Sequence, residues 1–227
     1  MLKKLWYISK SNDMVLKMLS RIYNTIMFNR KKLKGKNNLI NVSGAFIKNS
    51  RIFVAGNNNR ILCEDGVRLV NCRFHILGDN HQIIIKKGCY GINSTFWIED
   101  NNCSISVGSK TTMEGIGVSV TEPFSCINIG SDCMFSAGID IRNGDSHSII
   151  DINTNRRINY AKDINIEDHV WIGRDVKILK GVRIGSNSVI AANAIVTSNI
   201  PENHIAAGIP ARIVKENITW DRKRIYE

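Results

Sequence analysis

From Ile166 onward, aliphatic residues recur at every sixth position: Ile166, Ile172, Ile178, Ile184, Ile190 and Val196. A second column, four residues after each, holds Val170, Val176, Val182, Ser188, Ala194 and Ile200, all apolar or small. Helices and flat strands turn the same face inward every ~3.6 and ~2 residues, so neither accounts for a period of six. A coil with three short flat faces does, because one residue per face then points inward at the same height. Stacked coils bury those columns against one another. Polar or glycine pairs such as Gly173-Arg174, Lys180-Gly181 and Gly185-Ser186 fall between the apolar positions, where corners need them.

Upstream, a longer repeat of 22 residues runs through blocks starting at Asn38, Arg60, Gln82, Ser104 and Cys126. Second positions read Leu39, Ile61, Ile83, Ile105 and Ile127. Later columns read Ile52, Phe74, Phe96, Val118 and Val54, Ile76, Ile98, Val120, and the fifth block slips by one to Ile139 and Ile141. Corners such as Gly78-Asp79-Asn80 and Asp100-Asn101-Asn102 close the blocks. The pattern predicts five enlarged coils followed by two minimal ones: an all-β solenoid of about seven coils over residues 37–201. Spacing leaves the hand of the coil open, since crossovers between parallel strands are normally right-handed.

One stretch, 147–165, falls out of register, and a long loop on a regular solenoid is more often functional than decorative. Before the solenoid, Val15, Met18, Leu19, Ile22 and Ile26 share one helical face, which predicts an amphipathic helix over 11–30 in a basic segment, 1–36. That helix caps the open end of the solenoid or lies on an anionic membrane surface. Residues 202–227 read as a loop followed by a short C-terminal helix, with Trp220, Ile225 and Tyr226 packing on the last coil.

Charge sharpens this division. The net charge of +11 belongs to the ends: residues 1–36 carry ten Lys/Arg against one acid, whereas 37–211 carry sixteen of each sign. A nucleic-acid-binding body is therefore not expected. The six cysteines form no CxxC pair and no zinc-like spacing, so they read as small buried residues of a reducing compartment. Without a long apolar run or a small-residue cleavage site, neither secretion nor a spanning helix is expected, and the chain reads as cytoplasmic.

Three local features then point to a family: Ile141-Arg142-Asn143-Gly144-Asp145-Ser146-His147-Ser148-Ile149, Val170-Trp171-Ile172-Gly173, and Ala207-Gly208-Ile209-Pro210-Ala211-Arg212. The stretch from Ile139 to Lys215 resembles the hexapeptide-repeat acetyltransferases, especially those that O-acetylate surface polysaccharides or their precursors. The resemblance implies a left-handed parallel β-helix, an acetyl-coenzyme A donor, a carbohydrate acceptor, and homotrimers with each active site between two subunits. No metal is expected; the spacing of His75, His81, His169 and His204 fits surface or corner positions.

By the same resemblance His147 is the catalytic histidine. A sugar hydroxyl is a poor nucleophile, and a neutral imidazole must take its proton as the oxygen attacks the thioester carbonyl. Asp145 either orients that ring or serves as a corner aspartate. Trp171 is expected to face outward beside His147 and, with Arg142, to line the cleft for the acceptor. Gly173, Ala191 and Ala192 are small where a pantetheine arm would run, with backbone N–H groups for the thioester oxygen. A lysine often follows the threonine at Thr197 in this family, but Ser198 stands here, leaving Arg212 and Lys215 to meet a coenzyme A phosphate, with Pro210 in the loop that covers the nucleotide. An N-acetyltransferase of an amino sugar and a catalytically silent β-helical binding module remain alternatives.

Overall fold

The computed structural model describes residues 13–27 and 29–226. Residues 1–12 of the basic segment, including the start of the expected helix, lie outside them, as do Phe28 and Glu227. The described chain is a parallel β-solenoid with three faces. The first face stacks eight strands from Arg30–Lys34 to Ile195–Val196, and the second stacks seven from Leu39–Asn41 to Arg183–Ile184. The third runs from Phe46–Lys48 to Ile205–Ala207 and is closed by Arg212–Lys215, which pairs antiparallel with Ile205–Ala207.

The register reproduces the sequence columns. Phe74 pairs with Phe96, Phe96 with Val118, Val118 with Ile141, Ile141 with Ile178 and Ile178 with Val196, and all six are fully buried. The slip in the fifth block is one extra residue between Ile116 and its partner Ile139. Left-handed corners are carried by asparagines such as Asn49, Asn71 and Asn93, which tolerate positive φ better than other side chains. At Gly78 (φ 106°) a Cβ would sit 1.6 Å from the Asp100 carbonyl oxygen, so only glycine lets the coils approach there. The cysteines are all free, five of them buried, and burial pushes the Cys63 thiol up to about 12.

Three details depart from the sequence reading. The solenoid has an additional first rung, Arg30–Lys34, within the segment read as helical. It carries no apolar repeat because, as the end rung, it has no coil beneath it and all five residues stay exposed. Helix α1 spans Asp13–Ile26, and it docks on the first coil through polar groups and the edge of Tyr23 against the Phe46 ring, 5.5 Å between centroids. The Gly44 N–H donates to Ser20 Oγ (2.9 Å), and Asn24 bridges the Ala45 carbonyl (2.9 Å) and the Ile47 N–H (2.7 Å). Its stripe of Met14, Met18, Ile22 and Ile26 faces outward, with Met14 79% exposed.

The expected C-terminal helix does not form. After Arg212–Lys215 the chain crosses the third face without regular structure. Asn217 takes a left-handed φ of 56°, and Trp220 is buried against the coil: its indole N–H donates to the His169 carbonyl (2.8 Å) and its ring stacks on His169 at 4.2 Å. Arg222 donates to the Cys133 carbonyl (2.8 Å) and to Thr112 Oγ1 (3.0 Å). These cross-coil contacts replace the i to i−4 bonds a helix would make.

Candidate active site

The out-of-register stretch leaves the first face after Arg142 and rejoins the second face at Ile164, so its root is the corner between those faces. A short antiparallel ribbon, Ile150–Asp151 with Arg156–Arg157, gives it a frame. Ser146 adopts φ 62°, turning the chain so that the His147 N–H donates to the Asp145 carbonyl at 2.8 Å.

Asn159, nearly buried, is the hub of this loop. Its Nδ2 donates to the His147 carbonyl (2.7 Å) and to Asp145 Oδ2 (2.8 Å), while its Oδ1 accepts from the Ile149 N–H (2.7 Å). From the next coil Lys180 Nζ reaches Asp145 and the Asn159 carbonyl. Hydrogen bonds from Lys180 and then Asn159 hold the Asp145 carboxyl below the usual carboxylate range. Arg157 ties the far strand down to Glu122 and lies over the Tyr160 ring at 5.0 Å. The His147 side chain is exposed, and its ring nitrogens have no hydrogen-bond partner among the described residues. The backbone around His147 is thus braced on both sides while the imidazole stays free. The Asp145 carboxylate is engaged by Lys180 and Asn159 and not by the ring.

The remaining candidates fall on two edges. Arg142, Thr197 and Ser198 share the first-to-second corner with the loop root, all exposed. Gly173, Ala191 and Ala192 lie at the opposite edge, between the third and first faces. Pro210 follows a cis peptide bond in the hook beyond Gly208, and Arg212 and Lys215 bound the antiparallel edge strand. Trp171 sits on the third face, 38% exposed, 6.1 Å from the Trp220 ring. One chain therefore does not set Trp171 beside His147, contrary to the sequence expectation, because the loop and the tryptophan leave the solenoid from different faces.

The backbone donors also need correction. The Gly173 N–H is spent on the Ile190 carbonyl (2.8 Å) and the Ala191 N–H on the Ala206 carbonyl (2.9 Å), as stacking of coils demands. Only the Ala192 N–H of this group has no hydrogen-bond partner among the described residues. A Cβ on Gly173 would lie 2.6 Å from that nitrogen, so glycine keeps this corner open.

Asn159 and Lys180 escaped the sequence reading as site residues, and of the three tail residues expected to pack on the solenoid only Trp220 does so, Ile225 and Tyr226 being exposed. Asn159 and Lys180 act through partners 10 to 35 residues away, which spacing does not reveal. Trp220 looked like a helix face. No group of three or more His, Cys, Asp or Glu side chains suited to a metal occurs among the described residues, and His81, read as a surface or corner residue, is buried with both ring nitrogens bonded to backbone.

Comparison with known proteins gives this geometry its context. The model of the bacterial transferase hexapeptide (six repeats) matches residues 163–198. A polysialic acid O-acetyltransferase of Neisseria meningitidis is 37% identical over 195 residues, covering 85% of this chain and 90% of that protein. A polysialic acid O-acetyltransferase of Escherichia coli O1:K1 / APEC is 41% identical over 118 residues, which span 38% of its length. The crystal structure of the polysialic-acid-specific acetyltransferase NeuO superposes with a TM-score of 0.76 at 36% identity, covering 88% of this chain and 91% of that one. With repeats, coil architecture and near-full-length similarity in agreement, the chain belongs to the hexapeptide-repeat acetyltransferases of the left-handed β-helix fold.

Proposed function

We propose that the chain transfers the acetyl group of acetyl-coenzyme A to a hydroxyl of an acidic surface polysaccharide, with His147 as general base. The observation that carries this reading is the near-full-length similarity to an enzyme named for polysialic acid, over a sequence whose braced loop holds a free, exposed imidazole. Neutral His147 takes the hydroxyl proton as the sugar oxygen bonds to the thioester carbon. The carbonyl oxygen gains negative charge, for which the Ala192 N–H is an available donor. Collapse expels the coenzyme A thiolate, which recovers the proton from the imidazolium, so ester and free thiol form without an acylated protein.

Asp145 is a positioning residue in this scheme, since its carboxylate anchors the loop through Lys180 and Asn159. His147 and Ala192 leave opposite edges of the first face, which fits a homotrimer in which one subunit's loop meets the neighbour's corner, with Gly173, Ala191 and Trp171 of that neighbour lining the pantetheine and acceptor cleft. Arg142 faces the acceptor. Thr197, Ser198, Pro210, Arg212 and Lys215 then frame the nucleotide end. Six free cysteines suit action in the cytoplasm, where acetyl-coenzyme A is made.

The decisive experiment supplies acetyl-coenzyme A with polysialic acid, neutral glycans and amino sugars, and records product mass and alkali lability. Alkali-labile acetyl groups on the acidic polymer are expected. Alkali-stable amides, or no transfer to any acceptor, would overturn the reading.

Helix α1 adds a peripheral membrane contact to the proposal. Its exposed Met14, Met18 and Ile22 lie beside Arg21 and Lys17, the arrangement of a helix lying on an anionic surface. No helix among the described residues is long and apolar enough to cross a membrane. Replacing Met18 and Ile22 by Glu should abolish salt-sensitive sedimentation with anionic vesicles; unchanged sedimentation rejects the contact.

A further inference from the structure

Several cations among the described residues meet carboxylates: Arg157 with Glu122, Lys180 with Asp145, Arg183 with Glu167 and, from the tail, Arg222 with Asp132. Arg30, Arg51 and Arg73 do not. They stack in register on consecutive rungs at the start of the first face, all exposed, and none has an ion-pair partner among the described residues. Like charges directly opposite on neighbouring strands, ~4.8 Å apart, are destabilising. A fold that keeps three guanidinium groups in one column without acids leaves a place for external anions.

Arg30 and Arg51 line a groove of about 540 Å³ with Asn29, Asn49 and Asn71, and Arg73 continues the column on the next rung. The Asn29 amide is consumed internally by the Asn24 and Ile47 carbonyls and the Ser50 N–H. Asn71 donates to Asn93, while the Asn49 side chain has no partner among the described residues and adds a neutral donor and acceptor. Guanidinium groups favour planar carboxylates, which they grip with two hydrogen bonds.

Two residues along each strand runs a second column. Phe53, His75 and Trp97 stack outward, with ring centroids 5.0 and 4.1 Å apart, each half-buried. In register this column continues to Ser119 and then Arg142, at the root of the His147 loop. Four rungs, or ~19 Å, separate Phe53 from Arg142. Glu99, which accepts the Trp97 indole N–H at 3.2 Å, is the carboxylate on this path before Asp140. A charged ladder beside an aromatic one matches a ligand with repeated carboxylates and repeated flat apolar ring faces. Phosphate alone would use only the arginines.

We infer that the Arg30–Arg51–Arg73 column and the Phe53–His75–Trp97 ladder form a second, non-catalytic binding site for an acidic polysaccharide, which holds the polymer along the first face while another of its residues reaches His147. The identity of the ligand rests on the proposed acidic-glycan acceptor. The site itself is read from charge and stacking.

The test measures binding of long polysialic acid to the full chain without acetyl-coenzyme A, for the unaltered protein and for the Arg51→Gln/Arg73→Gln double variant. Both side chains are exposed and make no hydrogen bond or ion pair among the described residues, and glutamine keeps the backbone bonds to the Cys72 and Ser94 carbonyls, so the fold should be retained. The variant should bind the polymer about tenfold more weakly, as expected for two exposed charge contacts, with a shallower salt dependence. In turnover, KM for the long polymer should rise while kcat, and the rate on a short oligomer, stay unchanged. Equal polymer binding by both proteins overturns the site while leaving the acetyltransfer reading intact. Polymer binding lost in the variant, from a protein that acetylates no glycan, sustains the site and sinks the other reading. Inorganic polyphosphate bound as tightly as polysialic acid, or a variant altered in sedimentation, overturns the glycan site in favour of a plain anion patch or a subunit contact.

Discussion

Replacing His147 by alanine lowers turnover by about two to four orders of magnitude, the usual cost of removing a general base. The loss should be confined to chemistry. The imidazole makes no hydrogen bond among the described residues, and the loop is held by the backbone of residue 147, whose N–H reaches Asp145 and whose carbonyl receives Asn159. Alanine keeps both contacts. Coenzyme A affinity, subunit assembly and thermal stability should therefore match the unaltered protein, and steady-state kinetics beside coenzyme A titration and a melting curve checks all of them. A variant that turns over near normally removes His147 from the reaction. A variant that also loses stability or coenzyme A binding shows that the residue acts by holding the loop.

Much of this architecture was legible because a stacked coil writes its geometry into the chain. Each inward column is one residue per coil, so Phe74, Phe96, Val118 and Ile141 announce their register before any coordinates are seen. The signal fails where that rule does not act. Arg30–Lys34 completes a rung at the open end and needs no apolar column. The tail is fixed by Trp220 and Arg222 reaching across coils, and β-branched Ile218 and Thr219 give a helix there little local support. Helix α1 docks on the first coil through Ser20, Tyr23 and Asn24, polar and aromatic positions outside the apolar stripe, so Met14, Met18, Ile22 and Ile26 point away from it.

The loop shows the same limit. Its position follows from the break in register, but its bracing depends on Asn159 and Lys180, which in sequence are an ordinary loop amide and an ordinary corner cation. Distribution of the candidate residues over two edges is likewise invisible in linear order. Asp145 and Lys180 meet on one edge though 35 residues apart, whereas Trp171 and Thr197, closer in sequence, stand on the third face and at the first-to-second corner. Only the coil closure decides which residues meet.

That two-edge arrangement makes a shared site testable by mixing two inactive chains. One carries His147→Ala and keeps its Ala192 corner. The other carries Ala192→Trp, whose bulk fills the corner where the pantetheine would run, and keeps its His147. Each alone should be inactive in every site. In trimers formed at random from equal amounts, a working site needs the loop from the second type of chain and the corner from the first, so about one quarter of sites should regain both intact. Ala192 is exposed at a corner and its side chain packs in no core, so the tryptophan should be tolerated by the fold. Co-refolding the two proteins, isolating the assembly at three times 25.5 kDa and measuring acetyl transfer gives the answer. Activity near one quarter of the unaltered level places His147 and Ala192 of each site on different subunits. If both residues served the same site from one chain, every site would still contain one defect and mixing would restore nothing.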